Sequence, residues 1–143
     1  MHAEIEIARQ WVAKAKSDLL NADNNLSSQH IPYDTVCFHC QQAAEKLLKA
    51  YLACIGHPPP VTHDLLLLLE KVLPSSPTAE KLRDGLALLM PYAVEIRYPD
   101  DWFMPSVEDT IEARATAEAV IAWLQETKPP LFEEHQSGNV PSA

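Results

Sequence analysis

The sequence predicts an all-α protein, an antiparallel up-and-down bundle of four to five helices, and three observations predict it. Glycine is scarce, with three in 143 residues, which disfavours a turn-rich β fold. Most of the 12 prolines sit in short clusters that separate long stretches free of breakers. Within those stretches apolar residues recur at three- and four-residue spacing, the period of a helix with one buried face.

The first helix carries Ala8, Trp11, Val12, Ala15, Leu19, Ala22 and Leu26 as a single apolar stripe. The stretch "NADNNLSSQHIPYD" then supplies breakers, with Pro32 marking the gap. A second helix is expected from about Tyr33 to Ile55, stopped by Gly56 in a left-handed cap and by the prolines at 58–60. Thr62 is expected to cap a third helix, with Asp64 in its first turn near the positive end of the helix dipole. That helix ends at "PSSP". A fourth covers roughly Thr78 to Ile96 and is expected to kink at Pro91, where an interior proline removes a hydrogen bond. Ser106 with Asp109 resembles a capping box and opens a fifth helix to about Thr127, with Ala113, Ala117, Val120, Ile121 and Leu124 as its apolar face. Residues 1–127 therefore read as one bundle domain, and 128–143, rich in breakers and without a period, as a mobile tail.

Composition narrows the function. At 143 residues the chain can bury a core without staples. A net charge of −9 with no Lys/Arg run argues against a broad surface for gripping DNA, although a local basic stripe is compatible with it. Cys37, Cys40 and Cys54 are odd in number and lie in one segment, which suits a reducing compartment better than a disulfide framework. The N-terminus lacks an apolar signal core, and "LLLLL" at 65–69 is too short to span a bilayer. The reading is a cytoplasmic protein without membrane contact.

The segment "CFHCQQAAEKLLKAYL" at 37–52 gathers the chemistry-bearing side chains. At about 100° per residue it splits into three faces. Val36, Cys40, Ala43, Ala44, Leu47, Ala50, Tyr51 and Cys54 form the core side. His39, Gln42, Lys46 and Lys49 form a polar stripe along one flank, and Phe38, Glu45 and Leu52 lie roughly opposite the core. Each face has a plain alternative. Cys37 and Cys40 make a C-x-x-C, but zinc needs four converging ligands and no second C-x-x-C or H-x3-H exists, so they read as small core residues and no metal is expected. His39, Lys46 and Lys49 are either phosphate contacts or a solvated flank in which Glu45 and Lys49 pair at i, i+4. Phe38 and Leu52, with Trp123 on the last helix, are either surface scatter or a partner-binding patch. His63 in "THDL" reads as a buried hydrogen-bonding residue at a helix start. Arg97, Tyr98, Asp100 and Asp101 concentrate where Pro99 stops a helix, and loop charges there serve either a ligand or the helix end itself.

The order of these pieces carries a resemblance. Ala15, Asp18 and Leu19 form "A-x-x-D-L", followed by "FHCQQAAEKLLKAYL", "THDL", "RYPDD" and a final alanine-rich helix. Over residues 8–126 this resembles the HEPN domain family of small helical domains. The resemblance implies a four- to five-helix bundle, homodimers, and roles connected with nucleotides or RNA. It also implies a minimal nucleotidyltransferase partner, often in a toxin–antitoxin pair. Active members of the family are metal-independent ribonucleases marked by an Arg and a following His with four to six residues between them, paired across a dimer interface. Such a pair suits attack by a 2′-hydroxyl, which needs a proton acceptor near neutral pH and a cation for the phosphorane. Arg97 occupies the matching place, but Trp102, Phe103 and Met104 supply no His, Pro99 and Pro105 interrupt the segment, and the next His is His135.

The expectation is a non-catalytic module that dimerises and binds a nucleotide, an RNA or a nucleotidyltransferase. Arg97, His39, Lys46, Lys49, Tyr98 and Asp100 would form its ligand site, with no cofactor. The alternative is a ribonuclease in which another His, or Asp100 or Asp101, replaces the absent His.

Overall fold

The computed structural model describes residues 2–94 and 104–133. Among these are five helices and no strand: α1 (His2–Leu26), α2 (Tyr33–Cys54), α3 (Leu65–Val72), α4 (Arg83–Leu89) and α5 (Val107–Thr127). Among the described residues, no helix is long and apolar enough to cross a membrane.

Local signals set most helix ends where the sequence puts them. α2 runs from the residue after Pro32 and closes on Gly56, whose φ of 79° is left-handed. A side chain there would also meet the Glu4 carboxylate, 2.5 Å from where a Cβ would stand. α5 opens with a complete capping box, in which the Ser106 hydroxyl accepts from the Asp109 N–H and the Asp109 carboxylate from the Ser106 N–H. α3 differs from expectation in its cap. Asp64, not Thr62, accepts the N–H groups of Leu66 and Leu67, while Thr62 accepts from Asp64 one step earlier. The Asx side chain reaches both orphan donors, and a charged oxygen there also meets the helix dipole.

The expected fourth helix is broken. Pro77–Leu82 and Met90–Tyr92 are 3-10 turns on either side of α4, and residues 95–96 lie outside the described residues. Proline stands first in one turn, as Pro77, and second in the other, as Pro91, early positions that its missing N–H and fixed φ favour. Gly85 lies in α4 where it crosses α5 closely: an added Cβ would sit 2.8 Å from the Thr116 side chain. The stretch Pro129–Phe132, expected within the mobile tail, is a 3-10 turn with Leu131 buried and the Pro130 carbonyl accepting from Arg9 of α1. Residues 134–143 lie outside the described residues.

Facing residues give the directions of the helices. Glu4 meets Gly56, Trp11 meets Lys49, and Asp18 meets Lys46 and His39, so α1 and α2 are antiparallel. Cys37 meets Thr110 and Tyr51 meets Trp123, so α5 runs the same way as α2. The chain between them runs back through 55–63 to bring His63 beside Glu45, follows the direction of α2 along α3 until Ser75 meets Tyr51, and runs the opposite way along α4 to bring Met90 beside Leu65. α2 therefore packs against all four other helices.

That central position overturns one expectation. Leu52 and Glu45, placed opposite the core by the helical wheel, are buried, and so is Trp123. A wheel with one covered side does not describe α2, which is covered by α1 and α5 on one side and by α3 and α4 on another. Only Phe38 of the proposed partner patch stays partly exposed. Leu47, Leu48 and Leu52 of α2 are fully buried, as are Leu65, Leu68 and Leu69 of α3, each stabilising by about 1.5–3 kcal/mol.

Candidate functional site

Polar residues of α2 form two clusters, each built around a buried carboxylate. In the first, Asp18 of α1 is 7% exposed and stands between His39 and Lys46. One oxygen lies 2.8 Å from His39 Nδ1 and the other 2.6 Å from Lys46 Nζ. His39 and Lys46 are seven residues apart, two turns of one flank, so a single carboxylate from the facing helix reaches both. Asp18 falls inside the apolar stripe of α1, next to Leu19. An acid in such a stripe needs a partner, and that is the sequence signal for this clamp.

In the second cluster Glu45 replaces Asp18. Its oxygens lie 2.8 Å from His63 Nδ1 and 2.9 Å from Lys49 Nζ. Gln41 donates to Glu45 at 3.4 Å and to the His63 carbonyl at 3.2 Å, and Gln42 donates to Gln41 at 2.7 Å. The cluster ties the connection before α3 to the middle of α2. Both Glu45 and Lys49 are buried, at 5% and 8% side-chain exposure, so Lys49 is not on a solvated flank; the expected i, i+4 pair is present but enclosed. His63 makes the expected hydrogen bond but is not buried, its side chain being 67% exposed. With Nδ1 against the carboxylate, its Nε2 is turned away from the pair.

The expected ligand residues therefore divide. His39, Lys46 and Lys49 lie on adjoining turns of α2, and each already holds a carboxylate. The expected contacts Arg97, Tyr98 and Asp100 lie outside the described residues. Residues missed by sequence reasoning are Asp18 and Glu45, as the anchors of both clusters, and Trp11, whose ring lies 5.5 Å from Lys49 Nζ and 5.8 Å from Lys14 Nζ.

The cysteines belong to the interior. Burial pushes the Cys40 thiol up to about 12, with the nearby Cys37 adding to the shift. Burial likewise raises Cys37, against the opposing effect of its hydrogen bond to Thr110. A raised thiol pKa keeps the native state neutral while the unfolded chain ionises near the ordinary value of 9.0. Stability contributed by these thiols is thus complete below that value and is lost as pH rises above it. At pH 8 iodoacetamide is expected to leave Cys37 and Cys40 unmodified in the native protein and to label both in urea. Native labelling at the rate of a free thiol would refute their inertness.

Comparison with known proteins adds three findings. A family model described as "HEPN domain" matches residues 8–127. Among solved structures, the chain is similar to the crystal structure of TT1696 from Thermus thermophilus, with 28% identity and a TM-score of 0.71, covering 83% of this chain and 96% of that one. No curated protein matches the chain.

Proposed function

The chain belongs to the HEPN domain family, and on that premise we propose that it is a non-catalytic HEPN module. It dimerises and binds a nucleotide, an RNA or a minimal nucleotidyltransferase, as one member of a toxin–antitoxin pair. The observation that carries this reading is the internal neutralisation of α2's cations. Lys46 and Lys49 already hold Asp18 and Glu45, and the reading therefore gives a phosphate contact to the loop cation Arg97, with Tyr98 and Asp100 beside it in the sequence. The absence of the family's His from Trp102, Phe103 and Met104 supports binding without cleavage.

One observation favours a second reading. His63 is exposed and its Nδ1 rests on a buried carboxylate, the arrangement that orients an imidazole as a general base. A metal-independent ribonuclease would use His63 in place of the absent His.

Isothermal titration of ATP, AMP and a short RNA into wild type and Arg97→Ala tests the first reading. Heat with at least one ligand, lost in the variant, is expected; equal heats would remove Arg97 from the site. Total RNA incubated with the same samples is expected to stay intact. Cleavage by wild type that disappears in His63→Ala would install the second reading instead.

A further inference from the structure

We propose that Trp11 and Lys14 of α1 form a stacking subsite for one nucleotide unit, with the base on the indole and the phosphate on the lysine. The inference rests on the nucleotide- or RNA-binding reading above but places a contact away from Arg97.

Residues 8–16 carry Arg9, Lys14 and Lys16 and no carboxylate, in a chain whose net charge is −9. Arg9 is occupied by Glu6 and by the Pro130 carbonyl, and Lys16 lies over the Phe132 ring. Lys14 is exposed, and among the described residues it holds no carboxylate. Its ammonium lies 5.8 Å from the centre of the half-buried Trp11 ring. On the inner side, Lys49 lies 5.5 Å from that ring, fixed by Glu45.

A cavity of about 220 Å³ opens along this face, lined by Ile7, Gln10, Trp11 and Lys14. It is smaller than the roughly 300–1,000 Å³ that hold drug-sized ligands, so it suits a single base better than an extended cofactor. Gln10 supplies both a donor and an acceptor for a base edge. Ile7 also borders a second cavity of about 230 Å³, lined by Ala53, His57, Pro58 and Pro59 and by the carboxylate-bearing Glu4. Lys14 lies over the Trp11 ring, and its exposed, flexible side chain swings aside to let a base stack there. An indole with a cation at its edge is the pairing used by proteins that bind single strands without reading sequence.

Fluorescence anisotropy with a labelled oligoadenylate of about eight nucleotides, within the usual site size, tests the proposal. Trp11→Leu and Lys14→Glu are each expected to weaken binding roughly tenfold, and Trp11→Phe, which keeps a stacking face, by less than about threefold. Lys14→Glu changes an exposed side chain and so reads binding even where Trp11→Leu disturbs packing. Competition by AMP distinguishes a free nucleotide from a strand: displacement at low concentration identifies the mononucleotide as ligand. Wild-type affinity in both Trp11→Leu and Lys14→Glu overturns the subsite. If Arg97→Ala still abolishes binding in that case, the nucleotide reading stands without it. If wild type binds neither probe, the subsite falls together with the nucleotide- or RNA-binding reading on which it rests.

Discussion

Glu45→Ala is expected to destabilise the protein by about 3–5 kcal/mol, the cost of leaving a buried charge without its partner. Glu45 holds three donors from two parts of the chain, namely Lys49, His63 and Gln41. Removal strands the Lys49 ammonium, whose side chain is 8% exposed, and releases the connection before α3 from α2. The Trp11 ring near Lys49 recovers little, because a cation–π contact is worth about 0.5–2 kcal/mol. The charge explanation also predicts recovery. In Glu45→Ala/Lys49→Met the orphaned cation is gone, and the double variant is expected to be more stable than Glu45→Ala alone. Urea unfolding followed by circular dichroism measures both. A single-variant cost below about 1 kcal/mol, the range of exposed pairs, would show that Glu45 is not enclosed as described.

Leu52→Ala separates a core residue from a docking residue. Leu52 is 0% exposed, and its removal from the interior is expected to cost about 2–5 kcal/mol. The same change on an outer patch would alter stability by no more than about 0.5 kcal/mol and act on association instead. Urea unfolding gives the stability, and sedimentation of the folded variant gives the oligomer. A large stability loss with an unchanged sedimentation coefficient is expected. Near-neutral stability with a shift to a lighter species would return Leu52 to the surface.

The two clusters also show why His39, Lys46 and Lys49 resemble a ligand stripe. Their spacing reports only that they share a flank of α2. The partners that consume their charge come from elsewhere in space: Asp18 lies 21 residues before His39 in the sequence, on another helix. Asp18 is visible as an acid within an apolar stripe, and that anomaly is the available clue. Nothing local announces that Glu45, seemingly on the outer side, is enclosed. Trp123 misleads for the same reason.

The sequence by itself determined the fold class, the family, and the ends of α2 and α5. Those ends depend on proline, on the left-handed Gly56, and on the Ser106–Asp109 box, all interactions among residues within a few positions of one another. Tertiary structure alone decided which sides of α2 are covered, that the 78–94 region breaks into a short helix between two 3-10 turns, and that Pro129–Phe132 docks on α1. It also decided that Asp18 and Glu45 take the cations. Helix periodicity fixes the direction in which a side chain leaves its axis, but burial and charge pairing depend on what stands there, and that comes from distant segments of the chain.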